Sequence, residues 1–209
     1  MQHDTNGENE LSHKDSFRLI EQMISAAKDQ HNERGEGWLL WGSILFVVSI
    51  TSALLSYLDM GRYIGWVWTA VLPVGLILYF VMHLRGRKKD SVETYISQLL
   101  NRIQAGFFIS LVVLIAAGNI IGNYHHQYAH FLFGYYYVLY AFWMYIHGST
   151  TRFKPLIAGA FFNWAAALLI FFLTDFKYIM LTSAAAVLVG YIIPGYIQYQ
   201  QYKKSIIKR

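Results

Sequence analysis

Residues 103–151 read IQAGFFISLVVLIAAGNIIGNYHHQYAHFLFGYYYVLYAFWMYIHGSTT, 49 positions from Ile103 to Thr151 without one Lys, Arg, Asp or Glu. About 20 apolar residues suffice to cross a bilayer once, and this run is more than twice that length. Its one polar interruption is the central Asn123–Tyr124–His125–His126–Gln127. The stretch therefore reads as two membrane helices folded back through a tight turn, the second arm rich in histidine and aromatic residues.

The rest of the chain has the same character. Charged residues make up 14% of 209, against roughly 25% in ordinary soluble domains. They are gathered into short segments between apolar runs. The net charge of +5 lies beside those runs, where it reads as a topology signal and not as a phosphate-binding stripe, so nucleic acid is not an expected partner. The absence of cysteine excludes disulfides, thiolate metal sites and a cysteine nucleophile. Residues 1–37 are polar and contain no short apolar core, so no cleavable leader is expected and the first span acts as its own insertion signal.

Working outward, the apolar runs give six spans, at about 38–58, 63–84, 104–122, 128–147, 155–173 and 178–199. Trp38 and Trp41 open the first and suit a membrane interface. Pro73 removes a backbone hydrogen bond inside the second and is expected to kink it. Gly118 and Gly122 form a GxxxG that permits close helix approach, and Pro155 sits at the first turn of span five, where its missing donor costs nothing. Two amphipathic segments flank this bundle. Phe17, Ile20, Ile24 and Ala27 line one face over 14–34, and Val92, Ile96, Leu99 and Ile103 line one side over 90–103, which can run unbroken into span three. The chain thus divides into a polar N-terminal segment (1–36), a transmembrane domain (37–200) and a basic tail (201–209). The expected fold class is all-α: a polytopic bundle of six transmembrane helices with two cytoplasmic amphipathic helices.

Charge placement orients it. With the N-terminus inside, fifteen of the 17 Lys and Arg fall on the inner side, and only Arg62 and Lys177 fall outside. Short loops with that asymmetry place both termini in the cytoplasm.

The spans contain essentially no ionisable carboxylate or basic side chain, which argues against a proton relay or a charge-selective pore. No GxSxG, paired acids or phosphate-cradling glycine loop is present, so catalysis is not expected. His126 and His130, four residues apart, would share a helix face, the spacing with which two imidazoles hold a transition metal; His125, Asp59 and Asp175 are the further ligands available. The competing reading is a polar outer cap of amphipathic rings. Asn119, Asn163, Tyr137 and Tyr140 are the polar groups of spans three to five that could line a cavity for a neutral, aromatic or lipid-like ligand, although rings packed on rings account for the tyrosines equally well.

Three passages carry a resemblance. Asp15–Ser16–Phe17–Arg18–Leu19–Ile20–Glu21–Gln22–Met23–Ile24, the opening Trp38–Leu39–Leu40–Trp41–Gly42, and Leu188–Val189–Gly190–Tyr191–Ile192–Ile193–Pro194–Gly195 together resemble a family of small uncharacterised bacterial six-span membrane proteins with an N-terminal amphipathic cytoplasmic helix. The resemblance implies the inner membrane of a bacterium. It transfers no functional residue and no cofactor.

Two functions follow as expectations. One is a non-enzymatic sensing, regulatory or scaffolding protein, with the bilayer, a second copy, or a cytoplasmic protein bound through 14–34 and 90–103 as its partners. The other is a small permease or ligand-binding channel for a neutral or lipid-like solute. For the histidine pair, replacing His126→Ala together with His130→Ala should abolish zinc or copper binding in calorimetric titration; an unchanged isotherm would remove the site.

Overall fold

A computed structural model describes residues 35–86, 95–124 and 131–207. These form helices joined by short turns, with no strand among the described residues. In chain order they are α1 (Glu36–Tyr57), a 3-10 turn (Gly61–Tyr63), α2 (Ile64–Gly86), α3 (Tyr95–Tyr124), α4 (Phe131–Thr150), α5 (Lys154–Phe172), α6 (Phe176–Val187), a π-helical turn (Leu188–Ile192) and α7 (Ile193–Ile207). Four stretches are long and apolar enough to cross a bilayer: Glu36–Tyr57, Gln98–Gly122, Lys154–Phe172, and Phe176–Lys204, which joins α6, the π turn and most of α7. Large apolar side chains such as Ile109, Val112 and Phe172 stand outward, as lipid-facing residues do. The amphipathic segment expected over 14–34 lies outside the described residues, as do 90–94 and the histidine turn. Residues 95–103 are the first part of α3, which runs unbroken for 30 residues. At 1.5 Å per residue that is about 45 Å, half as long again as the hydrocarbon layer is thick.

The turns are set locally. Asp59 (φ 55°) and Arg152 (φ 54°) both occupy the left-handed region, ending α1 and α4. Around them Met60 N–H donates to the Leu55 carbonyl at 2.8 Å, and Phe153 N–H to the Gly148 carbonyl at 2.8 Å. This is the six-to-one bond of a Schellman closure, made here without glycine. Pro155 sits in the first turn of α5 as expected. Asp175 caps α6 by accepting from Lys177 N–H at 3.2 Å and pairs with the same lysine's Nζ at 3.0 Å. The side-chain hydrogen bond from Lys177 lowers the pKa of the Asp175 carboxyl.

Packing divides the bundle into two close pairs. The most extensive contact joins α4 to α5, a hairpin closed at Arg152, and the next joins α1 to α6. In lipid the apolar surface of one helix gains little by meeting another, so helices associate where small residues let backbones approach. The α1–α6 seam follows that rule: Ser49, Ser52 and Ala53 on α1 are buried, as are Ser183 and Ala184 on α6. Farther along, Gly42 rests on Tyr191 and Ile192, and Gly35 (φ 68°) rests on Gly195, Gln198 and Tyr199. The two pairs meet where α5 contacts α6 and the π turn. α2 packs on α1, and α3 packs on α4.

Both prolines inside helices have visible outcomes. α2 continues through Pro73 as one helix. Pro194 instead follows a π turn, in which Ile193 N–H reaches back five residues to the Leu188 carbonyl. Lacking an N–H, Pro194 cannot bond the Gly190 carbonyl, and its ring would crowd that group. A wide turn relieves both problems.

The turn also delivers Gly190 to the tightest point of the bundle. A Cβ there would collide with the Asn163 amide and press on the Met144 methyl. Gly190→Ala is therefore expected to cost roughly 1–3 kcal/mol, read as a lowered unfolding temperature in detergent. Gly106, which meets nothing within 4 Å of its would-be Cβ, should accept alanine within about 0.5 kcal/mol.

Candidate functional site

The bundle interior has two tiers. The first is polar and dry, and Asn163 on α5 anchors it. Fully buried, it donates from Nδ2 to the Gly159 carbonyl of its own helix at 2.9 Å. It also reaches the Ala186 carbonyl of α6 at 3.2 Å. Tyr137 on α4, 5% exposed, donates its hydroxyl to the Ser183 carbonyl at 3.1 Å. Ser49, Ser52 and Ser183 bring three more hydroxyls into this tier, those of Ser49 and Ser183 beside the Tyr137 hydroxyl, and their Oγ atoms, with Asn163 Oδ1, are fully enclosed. Atoms so tightly enclosed leave no room for water. The serines act here chiefly by being small, in the manner of close-packed membrane helices.

The second tier is aromatic. α1 and α4 have no extensive backbone contact; side-chain rings fill the space between them. Six rings follow one another in a closed circuit. Trp38 lies 5.3 Å from Tyr191, Tyr191 6.1 Å from Tyr140, and Tyr140 5.9 Å from Phe107. Phe107 lies 5.7 Å from Trp143, Trp143 5.4 Å from His147, and His147 5.3 Å from Trp38. Four elements contribute: α1, α3, α4 and the π turn. Tyr140, Trp143 and His147 share one face of α4 because they stand at i, i+3 and i+7. Trp143, His147 and Tyr191 are buried, whereas Trp38, Phe107 and Tyr140 keep part of their surface accessible. The circuit is therefore half buried, with Trp38, Phe107 and Tyr140 forming its partly accessible edge. α2 and α3 flank this side of the bundle without extensive contact with each other. One ring pair, Trp68 with Phe133 at 6.0 Å, spans from α2 to α4.

Of the residues singled out from sequence, Tyr137, Tyr140 and Asn163 lie in these tiers. Asn119 does not join them: it is exposed on α3 and bonds the Ile115 carbonyl of its own helix at 2.8 Å. Gly118 of the GxxxG packs on Leu132 and Tyr136 of α4, whereas Gly122 meets nothing within 4 Å among the described residues. His126 and His130 fall outside the described residues. Among the described residues no three His, Cys, Asp or Glu side chains cluster as metal ligands would.

Sequence reasoning missed Trp38, Phe107, Trp143, His147 and Tyr191 as one group. Trp38 passed as an interface residue, and only the spacing of Tyr140, Trp143 and His147 gave a sign of the shared face. Comparison with known proteins finds no matching family model, curated protein or solved structure.

The polar tier should carry measurable stability. Tyr137→Phe, which removes the bond to the Ser183 carbonyl, is expected to cost about 1 kcal/mol in detergent unfolding. Asn119→Leu, on the outward face, should change stability by less than about 0.5 kcal/mol.

Proposed function

We propose that this chain is a non-enzymatic, six-span integral membrane protein of sensing or regulatory type. In this reading the aromatic circuit holds a lipid-like ligand, and α3 carries the state of that site to the cytoplasm. The observation that carries it is the double membership of α3. Phe107 is a corner of the circuit, and the same helix continues without a break to Tyr95. A ring displaced by a ligand displaces the helix that bears it, and α3 rests on the bundle chiefly through α4. The exposed end of that rod, with residues 90–94 and the stripe over 14–34, is the surface for a cytoplasmic protein partner.

The six-span topology adds Ile64–Gly86 and Phe131–Thr150 to the four stretches named above. They have 23 and 20 residues, about 35 and 30 Å of helix. The charge asymmetry supports cytoplasmic termini, and the family resemblance supports a bacterial inner membrane. The same aromatic surface favours a second reading, a small permease for a neutral or lipid-like solute, with the π turn before Pro194 as its hinge.

Because the chain has no cysteine, single cysteines report topology directly. Cysteines replacing Arg62 or Lys177 should react with a membrane-impermeant maleimide added to intact cells. Cysteines replacing Arg152 or Lys203 should react only after permeabilisation. The opposite pattern would invert the topology. Spin labels at Leu99 and Ser149 should change separation when a lipid-like ligand is added. Ligand accumulation in sealed vesicles without such a change would favour the permease.

A further inference from the structure

The circuit offers more than apolar area. Five of its six rings, those of Trp, Tyr and Phe, carry negative faces, and His147 completes the circuit. We propose that the circuit of Trp38, Tyr191, Tyr140, Phe107, Trp143 and His147 is a binding site for a substituted ammonium group, free or as the headgroup of a zwitterionic lipid. The proposal rests on the reading of this circuit as the ligand site and names the ligand's chemistry.

Three observations support it. The first is spacing. Neighbouring centroids are 5.3–6.1 Å apart, so a cation seated against two neighbouring rings lies within about 6 Å of both, the reach of a cation–π contact. The second is orientation. Four of the six neighbouring pairs meet at interplanar angles of 53° to 84°, so the rings stand as walls to one another and not as a stack. The third is depth and charge. Trp38 is two residues from the start of α1, and His147 is three from the end of α4. Gly35 ties that end of α1 to Gln198 and Tyr199 of α7. Arg152, Lys154, Lys203 and Lys204, all exposed, follow at the same end of the bundle. A zwitterionic headgroup fits such an arrangement, with its ammonium among the rings and its phosphate toward the basic rim. Glu36, at the first position of α1 and half-buried, is the carboxylate nearest to Trp38 along the chain.

Poorly hydrated ammonium ions gain most from ring faces, because little water must be stripped from them. The test uses full-length protein in detergent and four probes: choline, its uncharged isostere 3,3-dimethylbutan-1-ol, phosphatidylcholine and diacylglycerol. Small probes are followed by calorimetry, and lipids by retention in native mass spectrometry. Phe107→Leu removes one ring from a peripheral helix, with thermal unfolding as the check on folding; Asn119→Leu, on the exposed face of the same helix and outside the circuit, should bind like the parent.

Saturable choline binding, at least roughly tenfold tighter than that of the alcohol and weakened about two- to fivefold by Phe107→Leu, is the expected result for a free ammonium ligand. Preferential retention of phosphatidylcholine without choline binding, reduced by Phe107→Leu, assigns the ammonium to a lipid and also supports the proposal. Equal binding of charged and uncharged probes would overturn the ammonium assignment while leaving a lipid-like ligand at the circuit. Binding unaffected by Phe107→Leu in folded protein would overturn the location. Failure of all four probes would overturn both this proposal and the reading beneath it.

Discussion

Asn163 sits where the two helix pairs of the bundle meet, and its amide makes one of the hydrogen bonds between them, Tyr137 making another. One side-chain nitrogen serves carbonyls on two helices, and Gly190 leaves the space for it. Hydrocarbon surroundings do not push apolar helices together, so a bundle in lipid needs contacts that lipid cannot imitate. A hydrogen bond to a backbone carbonyl is one such contact, and an approach too close for any Cβ is another. Both occur at this point. The small residues of the α1–α6 seam extend the same solution toward either end of the bundle.

That close approach accounts for the aromatic tier opposite. The short side chains draw α6 and the π turn against α5 and α1, so bulk is left for the side where α1 faces α4. Rings fill it, and their contacts replace backbone contact between those two helices. α2 and α3, each attached to one partner, stand at the margins. The molecule is thus tight where its residues are small, and rings, half of them buried, fill the wider side.

Much of the fold was legible in the sequence. Charge-free runs marked the helices, Pro155 marked the start of α5, and from Tyr95 onward the segment before Ile103 belongs to α3. The endings at Asp59 and Arg152 were not legible, since left-handed closures favour glycine and these use ionisable residues. The π turn was hidden as well. Pro194 announced a disturbance, but not that the helix would widen before it, bring Gly190 beside Asn163 and set Tyr191 against Trp38 and Tyr140. Tyr137, Tyr140 and Asn163 were recognisable as polar groups in apolar helices. The circuit was not, because three of its six members come from helices distant in sequence, and no periodicity links Trp38, Phe107 and Tyr191. Asn119 shows the converse: in sequence it resembles Asn163, and its position on the outer face of α3 follows from packing alone.

The π turn also fixes a phase. An α-helix advances about 100° with each residue, so the extra residue held at Leu188–Ile192 offsets everything beyond it by that angle relative to α6. The face of α7 that meets Gly35, and the direction in which Lys203 and Lys204 project, are therefore set by the local geometry at one proline and not by the helix that precedes it. If that turn tightened to ordinary α pitch, the whole C-terminal helix would swing around its own axis with little translation. A disturbance beside Tyr191 would in this way leave the membrane as a rotation.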